Sequence, residues 1–166
     1  MLTFALDERR CLRLLEEGDA EELYAVVQAN RAYLARWMPW AEKQTLDGTL
    51  EFIRASRKQL AENQGFAVAI VEADAIAGVL GYHRLDWEHL LTSVGYWIAE
   101  QSQGNGTVTR ATAALVEHAF GVWRLNRVEI RAGVENNRSR AIPERLGFTQ
   151  EGVPLRFPGL AATRGG

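Results

Sequence analysis

Strand-like and helix-like patterns interleave along this chain, which predicts an α/β (α+β) fold with a mixed central sheet and helices on both faces. The main observation is the stretch Val94 to Val122, a period-two apolar run followed by a glycine turn and a helical run with no proline. A second is the order of elements around it: strand, two helices, three strands, helix, strand, helix, strand. The third is size, since 166 residues of 47% apolar composition fill one sizeable core and hardly two. One domain is therefore expected, over 1–152, followed by an atypical tail at 153–166.

Cys11 to Leu15 reads as a short strand. Asp19 is placed to cap a helix whose apolar positions Leu23, Val26, Val27 and Leu34 recur at helical spacing. That helix should end in Trp37-Met38-Pro39-Trp40, where the proline disfavours helical geometry at Met38. Thr45 or Asp47 can start a second helix through Leu50, Ile53, Arg57 and Leu60 to Asn63. Phe66 to Val71 and Ile76 to Leu85 read as a hairpin around a turn at Glu72 to Ala75. Val94, Tyr96 and Ile98 alternate with Gly95, Trp97 and Ala99 in the next strand. From Val108, the positions Ala111, Leu115, Ala119 and Val122 set one helix face. Val128 to Val134 is a further strand, and Arg138 to Arg145 a short helix stopped by Gly147. Phe148 onward can form one more strand.

Composition excludes several classes of function. A formal charge of −2 and a pI near 6.0 give no bulk attraction to nucleic acid or anionic lipid, so neither direct nucleic-acid binding nor membrane binding is expected. No apolar run approaches the ~20 residues that span a bilayer, and the first residues lack a basic-then-apolar signal pattern. The single cysteine, Cys11, has no companions for a disulfide or a metal site. It reads as a small hydrophobe in a reducing, cytoplasmic setting, and no metal is expected.

Gly104 and Gly106 stand where the strand gives way to the helix. Glycine permits backbone angles and close approaches that a side chain forbids. The first turn of a helix also presents N–H groups without internal partners, with partial positive charge behind them. The turn thus suits an anion such as a pyrophosphate, although glycines there can equally serve only to reverse the chain. It is neither of two familiar phosphate loops, because no Lys-Ser/Thr follows the second glycine and no third glycine completes a dinucleotide fingerprint.

What the turn does match is Gln/Arg-x-x-Gly-x-Gly/Ala, as Gln101, Gly104 and Gly106, directly after GYWIAE and before Thr109-Arg110-Ala111. It resembles the acyl-CoA loop of the Gcn5-related N-acetyltransferase (GNAT) superfamily. Asn136 to Phe148, with Ser139 three residues after the asparagine and a closing Gly147-Phe148, resembles the RimJ/RimL branch, which acetylates ribosomal-protein N-termini. NRAYLARWMPW adds to the likeness, which covers most of Asn30 to Phe148.

The resemblance implies the GNAT fold and acetyl-CoA as cosubstrate. It puts the pyrophosphate on Gln101, Gln103, Gly104, Asn105, Gly106, Thr107 and Val108. It puts the pantetheine arm along Trp97, Ile98 and Ala99, where two strands splay apart. Ser139 occupies the family position from which a hydroxyl protonates the departing thiolate, and it can also be a helix N-cap. Asn136 can touch the CoA arm or serve the turn. Trp37 and Trp40 lie where the family's first helices border the acceptor cleft, as walls of that cleft or as core. His83 is assigned to the same cleft, with Trp87 and His89 further candidates. His83 and Glu129 are also the candidate bases, each with a plain sheet role as the other reading.

Two expectations concern the tail and the acceptor. After Phe148, Pro154, Pro158 and the small last residues suggest that a C-terminal strand is missing and the tail truncated or disordered. The preceding strand would then be left to fray or to a partner chain, as in a homodimer. The function implied is acetyl transfer from acetyl-CoA to the N-terminal α-amine of a protein. Two alternatives are transfer to a small amine or amino-acid-like compound, and a non-catalytic acyl-CoA-binding domain.

Overall fold

The computed structural model describes residues 3–131, 147, 149–151 and 159–163. The chain opens on a hairpin absent from the expected order, β1 (Thr3–Ala5) against β2 (Arg10–Leu14). Three helices follow: α1 (Ala20–Ala29), α2 (Arg31–Ala35) and α3 (Leu46–Ala61). Then come β3 (Ala67–Glu72), β4 (Ala75–Asp86), β5 (Leu91–Ile98), α4 (Thr107–Glu117) and β6 (Arg127–Arg131). Two further strands are β7 (Thr149–Glu151) and β8 (Gly159–Thr163). All eight form one sheet in the order β1-β2-β3-β4-β5-β6-β8-β7, in which only β5 and β6 run parallel.

Both faces of the sheet are covered, which is why β3 reads as a nearly continuous apolar run. Leu15, Leu23, Val27, Ile53, Val79 and Trp97 pack together on the side of α1 and α3. On the opposite side Leu12, Val68, Leu80 and Val94 meet Ala111 and Leu115 of α4. The Tyr82 hydroxyl donates to the Leu115 carbonyl at 2.6 Å, tying sheet to helix, and burial pushes this phenol well above its ordinary value.

The hairpin expected at Glu72 to Ala75 is present, with Ala73 and Asp74 both left-handed (φ 50° and 65°), as a two-residue turn with the strands' own twist requires. Thr45 caps α3 by accepting from Gly48 N–H at 3.0 Å. Asp19 does not cap α1; its carboxylate instead receives two bonds from Arg13, at 2.8 and 2.9 Å, which hold it below the ordinary aspartate range.

Three other expectations are corrected. The first long helix breaks at Asn30 (φ −116°, ψ 15°), because the side chain takes the Val26 carbonyl and offers its own oxygen to Glu100 N–H, at 2.9 Å each. Val122 is exposed, since the chain widens into a π-helical turn over His118–Val122 and rotates it off the core face. The strand expected to be missing at the C-terminus is β8, seated between β6 and β7 with Val128 opposite Ala162. Pro154 and Pro158, which argued against a strand here, fall outside the bounds of both strands. Within these bounds the edge of β6 is covered by β8 of the same chain. The helix expected at Arg138 to Arg145 and the strand residues 132–134 lie outside the described residues, while Gly147 has the φ of +83° that suits a helix stop.

Candidate active site

The site is organised around β5. Among the described residues the parallel ladder between β5 and β6 runs from Leu91–Arg127 to Val94–Ile130. On its other side β5 stays paired with β4 as far as Ile98 opposite Gly78. Past Val94, β5 runs on beyond the described β5–β6 pairs, and an extended ligand can pair with backbone of this kind as an added strand would. Trp97, Ile98 and Ala99 lie on this segment and are all buried, so what they offer there is backbone. Ala99 N–H donates to the Ala77 carbonyl at 2.7 Å and its own carbonyl accepts from Ser102 N–H at 3.0 Å, so this residue closes the segment by turning into the next.

Beyond this segment, Glu100–Ser102 makes one tight turn and α4 begins at Thr107. Gly104 and Gly106 have φ of +83° and +72°, the left-handed region that other residues enter only at a cost. A Cβ at either would meet nothing within 4 Å, so backbone conformation and not crowding explains glycine here. Gly106 is the N-cap of α4; no side chain caps that end, and no acidic residue occupies its first turn. The first-turn N–H groups are thus left for an external anion. Gln101 and Asn105 are exposed and Gln103 half-buried beside them, whereas Thr107 and Val108 are buried. The Thr107 hydroxyl donates to Glu72 at 3.1 Å, so its part in holding an anion would be its N–H.

On the α1 and α3 side of the same strand, Trp40 stands 6.2 Å from Trp97, ring centre to ring centre, and is 43% exposed. Trp37 is half-buried, with the Arg36 guanidinium 5.3 Å from its ring centre. His83 reaches this face through a bulge: pairing passes from Tyr82–Val94 to Arg84–Ser93 and leaves His83 as the extra residue. Its imidazole lies over Gly95, where a Cβ would come within 1.7 Å of Nε2. Gly95 directly follows Val94, the last described rung of the β5–β6 ladder, so His83 sits beside that point.

Other candidates are placed elsewhere. Trp87 donates to the Asn63 carbonyl at 2.7 Å and packs edge-on to Trp123 on the α4 side, and His89 is held by Asp86 at 2.9 Å. Neither lines the cleft beside Trp40. Glu129 accepts from Arg127 Nε at 3.1 Å, the i,i+2 pairing of a plain sheet role, although it stands in register with Ser93, two residues before Gly95. Ser139 and Asn136 lie outside the described residues. Among the described residues no group of three or more His, Cys, Asp or Glu is arranged for a metal, and no helix is long and apolar enough to cross a membrane.

Sequence reasoning missed a set of polar residues beneath the glycine turn. Arg10 Nη1 donates to the Asn105 carbonyl at 3.0 Å, and Arg110 Nη1 meets Asp7 Oδ2 at 3.0 Å. These partners are 95 and 103 residues apart, so no local pattern could announce them.

The chain is similar to known proteins. The chain is 36% identical over 154 residues to "Putative ribosomal N-acetyltransferase YdaF" of Bacillus subtilis (strain 168), covering 92% of this chain and 84% of that one. It is 26% identical over 153 residues to the ribosomal-protein-serine acetyltransferase of Escherichia coli (strain K12), covering 90% and 84%. The solved structure of RimL, a ribosomal L7/L12 alpha-N-protein acetyltransferase in complex with coenzyme A, superimposes with a TM-score of 0.91 over 98% of each chain, at 21% identity that speaks for the fold alone. Residues 9–149 match the family described as Acetyltransferase (GNAT) domain, and the chain belongs to that family.

Proposed function

We propose that this protein transfers the acetyl group of acetyl-CoA to the N-terminal α-amine of a protein, with a ribosomal protein as the leading acceptor class. The observation that carries the reading is the continuity of one path along β5. The end of β5 past Val94 leads through Ala99 into a left-handed glycine turn at a helix N-terminus that no side chain caps. Such a path suits a ligand with an extended amide-bearing arm at one end and a pyrophosphate at the other. The names of the relatives support acetyl transfer to ribosomal proteins.

In this reading the thioester lies next to Gly95. The acceptor approaches from the face of His83, Trp97 and Trp40, with Trp37 further along the same wall. The amine nitrogen bonds to the acetyl carbon, the C–S bond breaks, the nitrogen gives up a proton, and the thiolate gains one. Ser139 supplies that proton in our assignment and Asn136 contacts the CoA arm; both rest on the motif from Asn136 to Phe148. His83 binds the acceptor end, and a strong base is not required, since an α-amine with a pKa of about 8 is appreciably neutral near pH 7.

The test is to offer acetyl-CoA with peptides that have a free N-terminus, and with the same peptides blocked there but carrying an internal lysine, and to locate the added mass by fragmentation. Acetylation of the free N-termini alone is expected. Lysine modification at an equal rate would overturn the α-amine assignment. Acetylation of small amines only would favour that acceptor class, and acetyl-CoA binding without any transfer would make the chain a binding domain.

A further inference from the structure

We propose that Arg10 is a positioning residue for the donor turn, fixing the Asn105 carbonyl so that the next amide N–H points at the pyrophosphate; this rests on the donor reading above. A trans peptide unit is planar, with its C=O and N–H directed oppositely. Arg10 Nη1 holds the Asn105 oxygen at 3.0 Å from the β2 side. The N–H of Gly106 in the same peptide unit is thereby aimed away from β2, to the side on which the anion is held. Between two left-handed glycines this peptide plane would otherwise rotate at little cost, because glycine populates both signs of φ.

The anchor is rigid because the sheet sets it. Arg10 stands opposite Glu72 at the end of the β2–β3 ladder, and its Nε lies 3.6 Å from Glu72 and 3.8 Å from Asp7. Glu72 in turn accepts from the Thr107 hydroxyl at 3.1 Å, the first residue of α4, and Asp7 meets Arg110 one turn on. The Asp7 carboxyl, capped by Arg9 N–H and flanked by Arg10, is held below its ordinary range. Two guanidiniums and two carboxylates thus brace both ends of Asn105 to Thr107 and largely cancel in charge. What remains to attract the anion is the set of oriented backbone amides. Preorganising those amides should lower the ordering cost of binding and leave the chemical step alone.

Arg10→Met, which keeps the stem and removes the donors, should weaken acetyl-CoA about tenfold or more in calorimetric titration, as loss of a charge-assisted bond and of preorganisation implies. Turnover at saturating acetyl-CoA should stay within about twofold. The decisive readout is acetyl-pantetheine, which lacks the pyrophosphate: its KM should be unchanged in the variant. Thr107→Val should weaken acetyl-CoA by a smaller factor, about threefold, while Thr107→Ser retains the wild-type value. Should Arg10→Met fail to fold, the Thr107 pair with the two donors decides the question. Unchanged acetyl-CoA affinity, or equal weakening of both donors, would overturn the proposal and leave Arg10 a structural residue. Titration reads binding without turnover, so an inactive acceptor reading does not obscure it; a wild-type chain that bound no acetyl-CoA would overturn the donor reading and this inference together.

Discussion

The two sides of β5 are built by different means. The side we assign to the donor offers backbone: the end of β5 past Val94, two left-handed glycines and the uncapped N-terminus of α4. The side we assign to the acceptor offers side chains from separate segments, Trp40 from the turn after α2, His83 from a bulge in β4 and Trp97 from β5 itself. A backbone site constrains sequence only where conformation demands it, and so it leaves a short, local, readable pattern. The acceptor wall can be assembled from many residue types, which fits a family able to keep one donor while its acceptors differ.

The comparison breaks first if chemistry and donor binding prove inseparable. Ser139→Ala should lower kcat by about 10²-fold and leave acetyl-CoA affinity nearly intact, because a hydroxyl that protonates the thiolate acts in the transition state. A loss of about 1 kcal/mol of stability with full turnover would instead identify Ser139 as a helix cap. Gly106→Val should do the reverse. At a φ of +72° the substitution is strained whatever the space around it, and a folded variant should bind acetyl-CoA at least about tenfold more weakly by titration. Unchanged affinity there would remove the turn from the donor site.

The glycine turn and the helix after it were legible in the sequence, because conformation alone demands glycine there. Gly104 and Gly106 hold the positive φ that calls for glycine, and the helix that follows shows its period in Ala111 and Leu115. The break at Asn30 was not legible, because its cause is a hydrogen bond to Glu100, 70 residues away. The clamp of Arg10 on Asn105 escaped notice for the same reason. β8 was misjudged because Gly159 to Thr163 is made of small residues without alternation, and its pairing with β6 is a fact of topology, not of local propensity. Trp87, a lesser candidate for the cleft, closes an aromatic cluster with Trp123 while Trp40 meets Trp97; only tertiary contacts separate the two.

Smaller effects sharpen the acceptor side. A Cβ on Gly95 would displace the His83 imidazole, so Gly95→Ala should lower kcat/KM for the acceptor about tenfold while acetyl-CoA affinity holds. If the loss is the same in a His83→Ala background, the imidazole is not what the methyl disturbs. Trp40→Ala, at a partly exposed ring, should raise the acceptor KM by about fivefold or less and leave kcat alone. A change in acetyl-CoA affinity of the same size would place Trp40 on the donor side and erase the division drawn above.

The most direct test uses one peptide carrying both a free α-amine and an internal lysine, with acetyl-CoA held constant, followed by fragmentation across pH 6 to 9. At pH 7 about 10% of an α-amine with pKa about 8 is neutral, against well under 0.1% of a lysine with pKa about 10.4. We expect modification at the N-terminus, with kcat/KM rising with pH and levelling near 8. Equal or faster modification of the lysine near neutral pH would contradict N-terminal acetylation and require a true base, with His83 and Glu129 the residues to replace first.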